Sequence, residues 1–337
     1  MNEILDCVEE SGAASIHIRI GQIPRMRVNG RMTKLRMVPV RGEDFRDLVS
    51  WILTKEQEAR FERRGELYFT HRTADGAYHG NLFKMAGGQG LVFRPIPRSL
   101  PKPDTLGVPV DVHGLLSMPR GLILFSGSSG SGMKRTLGSM VLQASREHDP
   151  HIVTVEDPIT FYEEFHWAQQ IEVGRNIDST PEGVALASRI GPDLLMVGEV
   201  RDRETMTGIL RASASGILVL AGIRGSSITH AIARMESCFS PEDRRRFRSS
   251  LADEALAIVG HRRVPGDSRT MLETLINGAE SSAAIRQGKY AILRGMISSE
   301  RPREAARQES KEIAAAGQLV PASPAPPSEQ RIWRASR

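Results

Sequence analysis

The run Gly121-Leu122-Ile123-Leu124-Phe125, followed by Gly127-Ser128-Ser129-Gly130-Ser131-Gly132-Met133-Lys134-Arg135-Thr136, constrains the fold more than any other stretch of this chain. Four consecutive apolar residues that end in a glycine-rich turn read as a strand buried on both faces. Helical spacing over roughly 134–146 then supplies a following helix. Strand, glycine loop and helix together form the setting in which backbone N–H groups cradle phosphate. The full pattern, G-x-x-x-x-G-K-[ST], adds a Lys that reaches the β/γ oxygens and a hydroxyl that holds Mg²⁺. Here the glycine spacing is kept, but Met133 stands at the Lys position and Lys134 at the hydroxyl position.

Downstream, short apolar runs alternate with helical patterns, which predicts an α/β domain with a parallel sheet and crossover helices. Strands are expected at 152–155, 194–197 and 217–220, and helices at 134–146, 181–189, 203–214 and 226–239. A further helix is expected over 241–259, basic at its start through Arg244-Arg245-Arg246. Glu156-Asp157 closes one strand and Glu199 closes another. A single acid at a strand end is commonly just a surface group. Acids at the carboxyl ends of parallel strands, however, face the same crevice as the glycine loop, where they can hold Mg²⁺ or polarise water.

The first ~95 residues read as a separate mixed α/β region. Ser15-Ile16-His17-Ile18-Arg19-Ile20 alternates like a half-buried strand, and Met26-Arg27-Val28 before Asn29-Gly30 suggests a hairpin. One helix is expected over 43–63, with strands at 66–71, 76–83 and 90–93. Prolines at 95, 97, 101, 103 and 109 suggest an interdomain linker, and the Ala/Pro/Ser/Glu/Arg-rich end reads as disordered. With 337 residues the chain can bury two cores. No run of about 18 apolar residues occurs, and Met1-Asn2-Glu3-Ile4-Leu5-Asp6 lacks the pattern of a signal peptide. Cys7 and Cys238, alone and far apart, exclude a disulfide scaffold and a four-Cys zinc site and fit a reducing cytoplasm. A net charge of +5, spread over the chain, reads as solvated surface.

Several segments carry a more specific signal. They are Pro119-Arg120-Gly121-Leu122-Ile123-Leu124, Thr154-Val155-Glu156-Asp157-Pro158-Ile159 and Pro192-Asp193-Leu194-Leu195-Met196-Val197-Gly198-Glu199-Val200-Arg201-Asp202. With Ser226-Ser227 through Arg234 and Phe239, and with Asn29-Gly30 and Val92-Phe93-Arg94, they make residues 1–297 resemble the PilT-like branch of the secretion ATPases. These are hexameric motors of type IV pili and type II secretion, and the lack of a four-Cys cluster favours the pilus-retraction branch. The resemblance implies a PAS-like N-terminal domain over 1–97, a proline-rich linker over 98–118, a RecA-like P-loop NTPase domain over 119–297 and a disordered tail over 298–337. It implies nucleotide contacts by Gly127, Ser128, Ser129, Gly130, Ser131, Gly132, Met133, Lys134, Arg135, Thr136, Arg94 and Arg201. Catalysis would fall to Glu199 and Glu156, and Mg²⁺ to Glu156, Asp157 and Glu199. The implied partners are copies of itself in a hexamer, or an active paralogue in a mixed ring, together with an inner-membrane platform protein. The implied location is the cytoplasm, peripheral to that membrane through partners.

The departures from the family are ordered. Besides Met133 and Lys134, the two His-box histidines fall at Ile217 and Arg224, and two N-terminal arginines fall at Ala77 and His79, with Asn81 kept. Another family Arg falls at Ala185, while Arg189 remains. A charge-assisted hydrogen bond to phosphate contributes about 1.5–3 kcal/mol, so losing it weakens binding roughly ten- to a hundredfold. Losing a preorganised donor costs ~10²–10³ in rate. ATP with Mg²⁺ is therefore expected to bind weakly and to be hydrolysed poorly, which fits a regulatory or structural subunit. Two rivals stand beside this: a working motor that uses Lys134 and Glu199 unconventionally, and a RecA-like nucleic-acid-binding protein suggested only by a pI near 9.5. Nucleic acid is not an expected partner. Arg224 is expected as a solvated surface Arg, with a trans-acting finger as the alternative.

Overall fold

A computed structural model describes residues 11–28, 31–73, 76–96, 99–128, 130–161, 168–263 and 270–300. Cys7, Asn29-Gly30, Pro97, Ser129 and the tail beyond 300 lie outside the described residues. Two compact units divide the rest, one ending at Arg98 and the other beginning at Ser99.

The first unit holds β1 (Ser15–Arg19), β2 (Arg25–Val28), β3 (Arg31–Lys34), α1 (Gly42–Ile52), α2 (Lys55–Arg64), β4 (Glu66–Arg72), β5 (Ala77–Met85) and β6 (Gly88–Ile96). Its six-stranded sheet runs β3-β2-β1-β6-β5-β4 with antiparallel pairing throughout. Ile16 and Ile18 of β1 point into a core that also takes Phe45, Leu48 and Ile52 from one face of α1. The single helix expected over 43–63 is broken in two at Leu53-Thr54. Thr54 caps α2: its hydroxyl accepts from Gln57 N (3.2 Å), and Gln57 Oε1 accepts from Thr54 N (3.0 Å). This reciprocal box satisfies N–H groups that a continuous helix would have used elsewhere.

The second unit holds α3 (Val110–Gly114), β7 (Gly121–Gly127), α4 (Met133–His148), β8 (Ile152–Glu156), β9 (Gln169–Glu172) and α5 (Thr180–Ile190). It continues through β10 (Leu194–Val200), α6 (Arg203–Ala214), β11 (Leu218–Arg224), α7 (Ile228–Ser237), α8 (Pro241–Glu254) and β12 (Ala255–Arg263). It ends with β13 (Thr270–Ile276), α9 (Ala279–Gln287), α10 (Tyr290–Met296) and β14 (Ser298–Glu300). The sheet order is β14-β13-β12-β7-β11-β10-β8-β9. Strands β12 to β9 pair in parallel, and β13 and β14 are antiparallel additions at one edge.

The central strands are buried on both faces, which explains their unbroken apolar runs. Leu122 and Leu124 of β7 join a core covered by α5 to α10, whereas Ile123 and Phe125 join the core under α4. With all central strands parallel, Gly127, Glu156 and Arg224 end β7, β8 and β11, and Glu199 stands one residue before the end of β10, along one edge of the sheet.

Three further expectations need correction. The segment expected as a linker over 98–118 packs Leu100, Val108, Val112 and Leu116 into the core under α4. At about 1.5–3 kcal/mol per buried aliphatic side chain, burial outweighs the proline content. The helix expected over 241–259 ends at Glu254, because 255–263 pairs with β7 as β12. The tail expected to start at 298 instead begins as β14, where Ser298 pairs with Thr274.

Candidate functional site

At the end of β7 the chain turns through Gly127, where an added Cβ would collide with Ser131 Oγ and crowd Met133 Cβ and His261 Cβ. Ser131 N donates to Ser128 O (3.1 Å), and Gly130 and Gly132 adopt φ of 72° and 87°, the left-handed region that favours glycine. Gly132 opens α4, and no side chain caps that helix. Its first-turn N–H groups and positive dipole end therefore suit an anion. Ser128, Gly130, Gly132 and Arg135 are exposed.

The two residues that break the loop pattern go separate ways. Met133 is buried with Leu137 and Met196 in the core under α4, and its methyl lies against Gly222 of β11, 2.9 Å from where a Cβ there would stand. Its thioether cannot supply the charged donor that phosphate needs. Lys134 turns instead toward the strand ends, where Nζ donates to the Asp157 carbonyl (3.3 Å). Burial lowers the Lys134 pKa, and the charges of Glu199, Glu156 and Asp157 oppose that fall.

The acids are already engaged. Glu156 is buried: Oε1 accepts from Thr154 Oγ1 (3.0 Å) and Oε2 from Thr160 N (2.9 Å). Burial raises its pKa against those hydrogen bonds. Asp157 accepts from Arg201 at 2.7 Å. The buried Glu199 carboxylate is clasped by two guanidinium groups, Arg201 at 3.2 Å and Arg224, whose Nε makes a short contact and whose second nitrogen lies at 3.3 Å. Burial pushes the Glu199 pKa up, but hydrogen bonds from Arg224 and Arg201 outweigh it and hold the group below the usual carboxylate range. A carboxylate held this way is a poor general base, because taking a proton would forfeit both ion pairs.

Arg224 therefore departs from the expected solvated Arg. Its side chain is 47% exposed, but its guanidinium is committed to Glu199 of the same chain. Ile217, at the other His-box position, is buried in the core. Arg94 lies exposed on β6 of the first unit.

The Mg²⁺ expectation fits poorly with these residues. Glu199 already carries two cations, and the Lys134 ammonium stands on the Asp157 carbonyl, within reach of the charges of all three acids.

One buried residue beneath the loop has no counterpart in the sequence expectations. His261 on β12, buried, places Nδ1 3.1 Å from Ser126 O and Nε2 2.8 Å from Thr136 Oγ1. A carbonyl can only accept, so Nδ1 carries the proton and Nε2 accepts from the Thr136 hydroxyl. Burial pushes the His261 pKa down to about 4. The neutral ring thus ties β12, the end of β7 and the first turn of α4 together beneath the loop. Thr136, expected as a nucleotide contact, spends its hydroxyl here and is 2% exposed, which leaves it no surface for a ligand.

A family profile described as type II/IV secretion system protein matches residues 109–321. The chain is 30% identical over 295 residues to the type IV pilus retraction ATPase PilT of Pseudomonas aeruginosa, covering 87% of this chain and 83% of that protein. It is 28% identical over 302 residues to the type IV pilus ATPase PilU of the same organism, covering 88% and 79%. A crystal structure of the pilus retraction motor PilT with bound ADP matches with a TM-score of 0.78 at 27% identity, covering 95% of this chain and 97% of that one.

Proposed function

We propose that this chain, which belongs to the type II/IV secretion system protein family and has the RecA-like P-loop fold of its PilT-like members, is a hydrolysis-impaired subunit of a pilus or secretion motor. It binds nucleotide at the loop that ends β7 and works as a regulatory or structural member of a ring. That ring is a homo-hexamer or a mixed ring with an active paralogue, on the cytoplasmic side of an inner-membrane platform protein. Among the described residues no helix is long and apolar enough to cross a membrane, so attachment through a partner is consistent with the chain.

The observation that carries this reading is the separation of Met133 and Lys134. The residue at the phosphate-binding position is buried in the core, and the adjacent Lys134 turns to the Asp157 carbonyl at the strand ends. The clasp on Glu199 by Arg201 and Arg224 acts in the same direction, against activation of water. Nucleotide binding is supported by the glycine cradle, the uncapped start of α4 and the ADP-bound relative.

Steady-state phosphate release by the purified full chain tests it. Turnover well below about 1 s⁻¹, unchanged in Glu199→Gln, is expected. Turnover of about 1 s⁻¹ or more that disappears in Glu199→Gln would establish the rival reading, a working motor that uses Lys134 and Glu199.

A further inference from the structure

The Lys134 ammonium occupies a distinctive place. It has three N–H donors, and among the described residues one hydrogen bond is recorded for it, to the Asp157 carbonyl. Glu199, Glu156 and Asp157 act on it through their charges. Lys134 is the second residue of α4, so its ammonium is anchored within one turn of the glycine cradle. A cation fixed between an anion-binding loop and a set of strand-end acids stands where a metal ion would otherwise bridge phosphate oxygens and carboxylates.

We propose that this site takes its nucleotide as the metal-free nucleoside polyphosphate, with the Lys134 side chain supplying the positive charge that a magnesium ion would bring. Two observations converge. The acids that would ligate it are already paired, Asp157 with Arg201 and Glu199 with Arg201 and Arg224. A dication entering beside Lys134 would meet like charge, whereas a polyphosphate oxygen would find the ammonium's remaining donors. Magnesium in solution therefore competes: it draws free nucleotide into a complex that carries less negative charge and a cation of its own. The inference rests on nucleotide binding at this loop, as proposed above, and adds the chemical form in which the nucleotide is bound.

Calorimetric titration of the full chain with ADP and with a non-hydrolysable ATP analogue, in EDTA and in excess Mg²⁺, tests it. For the unaltered chain, binding in EDTA is expected to equal binding in Mg²⁺ within about threefold, or to be tighter. In Lys134→Ser, affinity in EDTA should fall about tenfold or more, as loss of one charge-assisted contact implies, and Mg²⁺ should now tighten binding. Binding to the unaltered chain that is tenfold or more tighter in Mg²⁺ overturns the inference and leaves nucleotide binding intact. Absence of binding under both conditions removes nucleotide binding itself, and this inference with it. The comparison on the unaltered chain needs no variant, so poor folding of Lys134→Ser leaves the test decisive. Lys134→Gln, which keeps the length of the side chain, provides a second measure of the charge.

Discussion

Replacing Arg224 by Ala isolates the clasp on Glu199. The Glu199 side chain is 4% exposed and that of Arg224 47%, so one partner is desolvated and the other is half in water. Breaking a fully buried pair costs about 3–5 kcal/mol, and an exposed pair contributes only about 0.2–1 kcal/mol. With Arg201 still bound to Glu199, an intermediate coupling of about 1–2 kcal/mol is expected between the two side chains. A double-mutant cycle of Arg224→Ala and Glu199→Gln, read by urea unfolding at pH 7, measures that coupling without the separate costs of each truncation. The pH dependence supplies an independent check. Because Glu199 is held below its usual range, its stabilisation is complete above the ordinary carboxylate pKa and is lost as pH falls through the folded-state value. The coupling should therefore be full at pH 7 and shrink below about pH 4. A coupling below about 0.3 kcal/mol at pH 7, or one that persists unchanged in acid, would show that Arg224 does not hold Glu199 in solution.

His261, through its neutral, buried ring, adds a second loss of stability toward acid in a higher pH window. Its folded-state pKa of about 4 lies below the ordinary 6.5, so the unfolded chain takes up a proton first as pH falls. Stability should be flat above pH 6.5 and drop by up to roughly 3 kcal/mol toward pH 4, with a shallower slope in His261→Gln; identical slopes would refute this. Gly127→Ala drives a methyl into Ser131 Oγ, which must rotate away, and crowds Met133 Cβ and His261 Cβ, which are fixed close to the backbone. It should destabilise the chain by about 1–3 kcal/mol in denaturant unfolding, and a loss below about 0.5 kcal/mol would mean that the loop base is looser than described.

Much of the second unit was legible because its central strands are short apolar runs that end in glycine or acid. β7, β8, β10 and β11 follow from such runs, and with them the shared edge that carries Gly127, Glu156 and Glu199. Other features escaped for physical reasons. Ala255-Leu256-Ala257-Ile258-Val259 continues the apolar content of α8 without Gly or Pro, so only burial between β7 and β13 identifies it as a strand. The break between α1 and α2 was signalled by Thr54 and Gln57, a capping box that hydrophobic spacing alone overlooks. His261 lies 125 residues from Thr136, and no local pattern announces a hydrogen bond across that separation. Arg224 looked like a surface residue because its sequence neighbours are silent about Glu199, which only the adjacent strand β10 brings to it.

The two unusual cations, Lys134 and Arg224, arrive on different elements, yet they answer the same electrostatic need. Glu156 and Glu199 are buried at strand ends, and buried carboxylates require compensating charge or a shifted pKa. Glu199 obtains its compensation from Arg201 and Arg224, while Lys134 faces all three acids. The cluster is thus compensated by cations of the same chain. Changing Arg224 alone should leave Glu199 undercompensated rather than restore a metal site, whereas changing Lys134 removes the cation that stands beside the loop. The loop that ends β7 is thus one part of a charge arrangement whose other members lie on β8, β10 and β11. Its altered residues are understood through those carboxylates, since the cradle's glycine geometry is kept.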